Sequence, residues 1–183
     1  ITDNQKPQFL INDTETKEYQ NVIIIDHKII FEGYEQYLPV FNSYSIETMM
    51  HRIPELSEHF VYFNDDMILM RQTKPSDFFT KEGSPIIRGN WSSFESEKLI
   101  KRTPILLGFK KTKIKGYLGY KRTQDYTAKA LGDKRKICLN HTPFSMRKSI
   151  ITDFLINNET VFLNNIKSKF RHENLVMIQS IIA

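Results

Sequence analysis

The chain has 183 residues, 40% of them hydrophobic, which suits one ordinary domain with a real core. No apolar run approaches the roughly 20 residues that a membrane-spanning helix needs, and the opening "ITDNQKPQFL" has neither the basic start nor the apolar middle of a signal peptide. Net charge is +5, from 26 Lys and Arg against 21 Asp and Glu, and a single cysteine, Cys138, excludes an internal disulfide.

In chain order, "NVIIID" (21–26) is a short β-branched run ending in Asp26, the pattern of a buried strand. Gly33 and Pro39 then break the chain. From about Ser45 the spacing of Ile46, Met49, Met50 and Ile53 predicts a helix, with Ser43 or Ser45 as its cap and Pro54 as its stop. "EHFVYFND" (58–65) reads as a second strand. Strand, loop, helix and strand make a βαβ unit with parallel strands, so the expected fold class is α/β, a Rossmann-like, mostly parallel sheet flanked by helices. Ligands gather at the carboxyl ends of such strands, where Asp26 and the pair Asp65 and Asp66 fall.

Beyond Leu69, Pro75, Gly83, Pro85 and Gly89 predict a short helical turn and irregular segments along the sheet edge. A helix is expected over about Ile114–Leu131, ended by Gly132. "KICLNH" reads as a strand, with Cys138 as buried filler. Helices are expected in "SMRKSIITDFLINN", "ETVFLNNIKSKF" and "ENLVMIQSIIA". Residues 98–136 are strongly basic and attract an anion, whether nucleotide, nucleic acid, phosphorylated polymer or acidic membrane surface; a solvated helix face accounts for them equally well.

Asp65 and Asp66 interrupt an apolar run, and buried charge is costly unless paired. Two carboxylates at a strand end can hold a hard divalent cation while a substrate phosphate completes its shell. The same residues also suit a simple turn, with Asn64 and Asp65 bonding the local backbone.

The stretch "LPVFNSYSIETMMHRIPELSEHFVYFNDDMIL" (38–69) resembles the second signature region of the Stealth family. These are sugar-phosphate transferases of bacterial capsule synthesis, related to the lysosomal-enzyme N-acetylglucosamine-1-phosphotransferase. "ITDNQKPQFL" and "IIIDHKIIF" resemble the earlier part of that region, and "KPSDFF" its tail; "LNHTPFSMRKSI" (139–150) resembles the third signature and "FRHENLVMIQS" (170–180) the segment after it. The family's first signature, of the kind "V-Y-T-W-V-D-G-S-D", is not found, so the chain is expected to be a single catalytic α/β domain incomplete at its N-terminus.

The resemblance implies transfer of a hexose-1-phosphate, N-acetylhexosamine-1-phosphate first among candidates, from a UDP-sugar to a sugar hydroxyl of a capsule oligosaccharide. A phosphodiester forms and UMP leaves. Mg²⁺ (or Mn²⁺) is the implied cofactor, held by Asp65 and Asp66, with Asp66 a second candidate for the acceptor's proton. His141 matches the third signature's histidine and is the implied general base, because imidazole titrates near neutrality. Arg171 would clamp a phosphoryl oxygen through its planar fork, and Arg52 likewise. Asn42, Ser45 and Glu47 stand at the loop-to-helix entry, suited to an anion or sugar hydroxyls, or to capping alone; His51 either faces the site or packs beneath it. The expected setting is the bacterial cytoplasm, peripheral to the inner membrane, with no nucleic-acid partner and an open oligomeric state. Two other readings remain: a metal-dependent glycosyltransferase making a glycosidic bond and releasing UDP, and a non-enzymatic polyanion-binding module.

Overall fold

The computed structural model describes residues 1–11, 19–94, 119–172 and 174–182. Their elements are α1 (Gln8–Ile11), α2 (His27–Ile30), α3 (Ser43–Met49), β1 (His59–Tyr62), β2 (Gly89–Ser92), α4 (Tyr120–Ala130), β3 (Lys136–Leu139), β4 (Phe144–Arg147), α5 (Lys148–Asn157), α6 (Glu159–Ile166) and α7 (Ile178–Ile181). Single 3-10 turns occupy Glu35–Tyr37, Met50–Arg52 and Pro75–Asp77. None of the described helices is long and apolar enough to cross a membrane.

The sheets differ from the expected parallel, Rossmann-like arrangement. Among the described residues there are two antiparallel ribbons, β1 with β4 and β2 with β3. Among the described residues, 22–25 form no ladder, and Val22 and Ile23 are exposed; the run pairs through one parallel bridge at its end, Thr2 to Asp26, with the Thr2 amide on the Ile25 carbonyl. Asp26 instead caps α2, accepting from the Lys28 amide at 2.9 Å, and lies outside the cleft described below. The β-branched run has the propensity of a strand, but a strand needs a partner to satisfy its backbone. β1 takes its partner from the far end of the chain, where Tyr62 stands opposite Phe144 and their rings stack at 6.4 Å.

The predicted helix at residues 45–53 forms as α3, capped by Asn42 rather than by Ser43 or Ser45: the Asn42 Oδ1 accepts from the Tyr44 amide at 3.1 Å. It tightens into the 3-10 turn and stops at Ile53, whose extended backbone precedes Pro54. The described part of the helix expected over 114–131 is α4, and residues 114–118 lie outside the described residues. It closes as expected at Gly132, φ +81°, with the Gly132 amide on the Lys129 carbonyl and the Asp133 amide on the Ala128 carbonyl. Two strands went unforeseen. β2 lies in the run expected to be irregular, and β4 takes residues assigned to the start of the next helix, so α5 begins at Lys148. The Glu58 carboxylate meets the freed amide of Ser149 at 3.1 Å, placing negative charge at the α5 N-terminus. The segment Leu175–Met177 is buried but not helical, which leaves α7 as one turn.

Three apolar clusters meet at α3. Met49 joins Ile30, Phe31, Val40 and Ile166; Met50 joins Met146, Ile151, Leu155 and Ile178; Tyr44 joins Leu139, Leu175 and Met177. Full burial of each such side chain contributes roughly 1.5–3 kcal/mol, and this fixes α3 from three directions.

A candidate sugar-phosphate site

A cleft of about 920 Å³ opens between α3, the end of β1, the loop before β4 and the segments that carry Arg171 and Gln179. Helical period decides which α3 residues reach it. Ser43, Glu47 and Met50 fall on one stripe and line the cleft. Asn42, Ser45 and Thr48 fall on another stripe and face α6. There the Asn42 amide donates to the Ser168 carbonyl at 3.2 Å, and the Ser45 hydroxyl lies against the carbonyls of Asn165 and Ser168. The Asn165 amide in turn donates to the Thr48 hydroxyl at 2.9 Å and the Val176 carbonyl at 2.8 Å. Asn42 and Ser45 are fully buried and do not line the cleft. The sequence had grouped them with Glu47 by proximity; the structure makes them a polar seam.

His51 and Arg52 also stand apart from the cleft. The His51 Nδ1 is 2.8 Å from the Thr48 carbonyl, and burial lowers the ring's pKa. Arg52 donates to the Glu32 carbonyl at 2.8 Å and lies over the Tyr34 ring.

The residues that do converge come from three distant stretches. Extending the β1 to β4 register by three residues sets residue 65 level with residue 141. Accordingly, the turn carrying Asp65 and Asp66 meets His141, with Asp66 Oδ1 3.5 Å from His141 Nε2. Their side chains are 64% and 54% exposed, so solvent screens the pair while leaving it open to substrate. Arg171 lines the same cleft, donating to the Ser43 hydroxyl at 2.8 Å with its guanidinium 5.0 Å from the Tyr44 ring centroid. The backbone bond from the Phe41 amide to the Lys169 carbonyl, 2.9 Å, ties this segment to the lead-in of α3.

Glu47 differs in kind. It is 5% exposed, its Oε1 accepts from the Tyr62 hydroxyl at 3.0 Å, and its Oε2 has no hydrogen-bond partner of its own among the described residues. Burial pushes its carboxyl up to about 7, against the opposing influence of the Gln179, Tyr62 and Ser43 side chains and the charge of Arg171. Burial and the neighbouring Glu47 carboxylate push the Tyr62 phenol upward, so it remains a donor. Tyr120, at the start of α4, lines the cleft with its phenol pushed up to about 12 by burial.

Tyr62, Gln179 and Tyr120 are not singled out by the sequence, and Ser43 only as a candidate helix cap. Tyr62 is part of an apolar strand run, and nothing local to Gln179 sets it apart. The basic run at 98–136 is described only over 119–136, where no Lys or Arg lines the cleft; Lys136 is buried against Asp125 at 2.5 Å, and Arg135 lies over Trp91.

The donor set suits a hard cation of modest coordination demand. Among the described residues no three His, Cys, Asp or Glu side chains gather as a metal cage. Magnesium commonly takes only one or two carboxylates, with substrate phosphate and water completing its shell, and Asp65 and Asp66 offer those oxygens at the cleft wall. Among the described residues, three carboxyl groups and the one guanidinium of Arg171 line the cleft, so added positive charge there would favour a bound diphosphate.

Residues 1–87 match the family model described as Stealth protein CR2, conserved region 2. The chain is 42% identical over 102 residues to a capsular polysaccharide phosphotransferase of Actinobacillus pleuropneumoniae, covering 56% of this chain and 24% of the relative. It is 46% identical over 85 residues to a receptor polysaccharide phosphotransferase of Streptococcus oralis, covering 46% and 24%. With an exopolysaccharide phosphotransferase of Lactiplantibacillus plantarum the identity is 49% over 85 residues, covering 46% and 23%. The matched stretch spans about a quarter of the length of each relative.

Proposed function

This chain belongs to the Stealth family through its residues 1–87, and from that premise we propose that the cleft transfers a hexose-1-phosphate from a UDP-sugar to a sugar hydroxyl of a capsular polysaccharide. The observation that carries this reading is the meeting of Asp66 and His141, from separate stretches of chain, in a cleft that Arg171 also lines.

The acceptor oxygen attacks the β-phosphorus and a new P–O bond forms. The phosphoanhydride bond breaks, and its electron pair leaves with UMP. The anomeric carbon takes no part, so its configuration is retained. His141 takes the proton released by the acceptor hydroxyl, and Asp66, 3.5 Å away, orients the ring. Arg171 is already held in place by Ser43 and Tyr44, and clamps a phosphoryl oxygen with little loss of side-chain freedom. Glu47, buried deeper, meets a sugar hydroxyl. When bound by Asp65 and Asp66, Mg²⁺ (or Mn²⁺) supplies the charge that neutralises the diphosphate. The N-acetylhexosamine-1-phosphate donor and a peripheral position at the cytoplasmic face of the inner membrane complete the proposal.

The test is UMP release by the full-length protein given Mg²⁺, a panel of UDP-sugars and capsule oligosaccharide. We expect release with one donor, lowered about 10²–10⁴-fold in His141→Ala and strongly lowered in Asp65→Ala. No UMP from any donor, with Asp65→Ala indistinguishable from the parent, contradicts the proposal.

A further inference from the structure

Among the described residues, two buried oxygens of the cleft wall have no hydrogen-bond partner of their own. One is Glu47 Oε2 and the other is Gln179 Oε1. Their residues are 5% and 4% exposed, and both line the cleft. Neither position is an accident of a loose surface. Glu47 is fixed by α3 and by the Tyr62 hydroxyl on its other oxygen. Gln179 follows Ile178, which is fully buried in the Met50 cluster, and Met177, whose amide donates to the Thr127 hydroxyl at 3.0 Å. A polar atom buried without a partner is disfavoured, so a pair of them in one cleft marks the place of a missing donor.

The chemistry of that donor is restricted. Phosphate oxygens are acceptors and carry negative charge, so they cannot satisfy the Gln179 amide oxygen or an ionised Glu47. Neighbouring hydroxyls of a pyranose, or a hydroxyl beside an N-acetyl N–H, can. We propose that Glu47 and Gln179 form a hydroxyl-recognition subsite for the neutral sugar ring, with Gln179 the residue that decides which sugar is accepted. This rests on the reading of the cleft as a sugar-phosphate site and divides it in two. Phosphate lies toward Arg171 and the Asp65 and Asp66 turn, and the ring lies against α3 and α7. The raised pKa of Glu47 fits this division, because a carboxyl poised near neutrality meets a hydroxyl either as acceptor or as donor.

The experiment uses the full-length protein, with UMP, a set of UDP-hexoses and their singly deoxygenated analogues as probes, and capsule oligosaccharide as acceptor. Calorimetry on the unmodified protein is expected to show at least one deoxy position that weakens UDP-sugar binding about tenfold or more. In Gln179→Met, which keeps the side-chain volume, that discrimination is expected to disappear while UMP affinity changes less than about twofold. Gln179→Glu, which keeps an acceptor oxygen, is expected to retain it. Should Gln179→Met not fold, the deoxy series on the unmodified protein decides the matter. Equal binding of every deoxy analogue, or unchanged discrimination in a folded Gln179→Met, overturns the proposal. Failure of UMP and all UDP-sugars to bind strikes the sugar-phosphate reading itself, whereas UMP binding without sugar discrimination strikes the subsite alone.

Discussion

Glu47 shows how one buried carboxyl links stability to chemistry. Its native pKa of about 7 lies above the ordinary 4.5, so the folded state binds the proton more tightly than the unfolded state. Stability from this group is therefore greatest below about pH 4.5, falls as the pH rises toward about 7, and is flat above that. A shift of this size corresponds to roughly 3 kcal/mol. His27 and His51, whose pKa values burial lowers, contribute a slope of the opposite sign through much of the same range. The quantity to measure is thus a difference: urea midpoints of the parent and Glu47→Gln at several pH values. We expect Glu47→Gln to gain relative stability between about pH 4.5 and 7 and to level off above that, while losing transfer activity; parallel stability profiles contradict a raised Glu47. The sequence named this residue, since it sits in the "SYSIE" run, but it could not show its burial. Tyr62 and Gln179, which complete its surroundings, are ordinary residues of apolar runs until the fold brings them together.

At the scale of elements, α3 explains both the successes and the errors. The apolar spacing of Ile46, Met49, Met50 and Ile53 was enough to locate the helix. Which polar residues shared its functional face was not legible, because that depends on what packs on each side. The seam of Asn42, Ser45, Thr48 and Asn165 faces α6, and only Ser43 and Glu47 are left for the cleft. Asn42→Ala removes the cap and the bond to the Ser168 carbonyl, and is expected to cost about 1–3 kcal/mol of stability with the KM for donor and acceptor unchanged in the folded fraction. A selective rise in either KM at unchanged stability would return Asn42 to the substrate site. Strand pairing was the least legible feature. Among the described residues, the run at 21–26 has strong β propensity but a single bridge, at Asp26, while "FSMR" at 144–147 reads as part of a helix, and its pairing with β1 spans more than 80 residues of chain. Propensity is local and register is not.

At the scale of the whole molecule, the stretches quoted for their resemblance, 38–69, 139–150 and 170–180, supply nearly all of the cleft. Of the described residues between them only Tyr120 lines it, and the antiparallel β1 to β4 register is what carries His141 to Asp66. Asp66, His141 and Arg171 were assigned roles through the resemblance, and the fold brings them to one opening; Asn42, Ser45, His51 and Arg52 it uses elsewhere. The central claim is that this opening moves a phosphoryl-linked sugar rather than a sugar alone. Phosphorus-31 NMR of the complete reaction mixture tests it most directly. A phosphodiester resonance that stays with the oligosaccharide is expected, together with UMP in equal amount. Accumulation of UDP, with no phosphorus on the oligosaccharide, would contradict it.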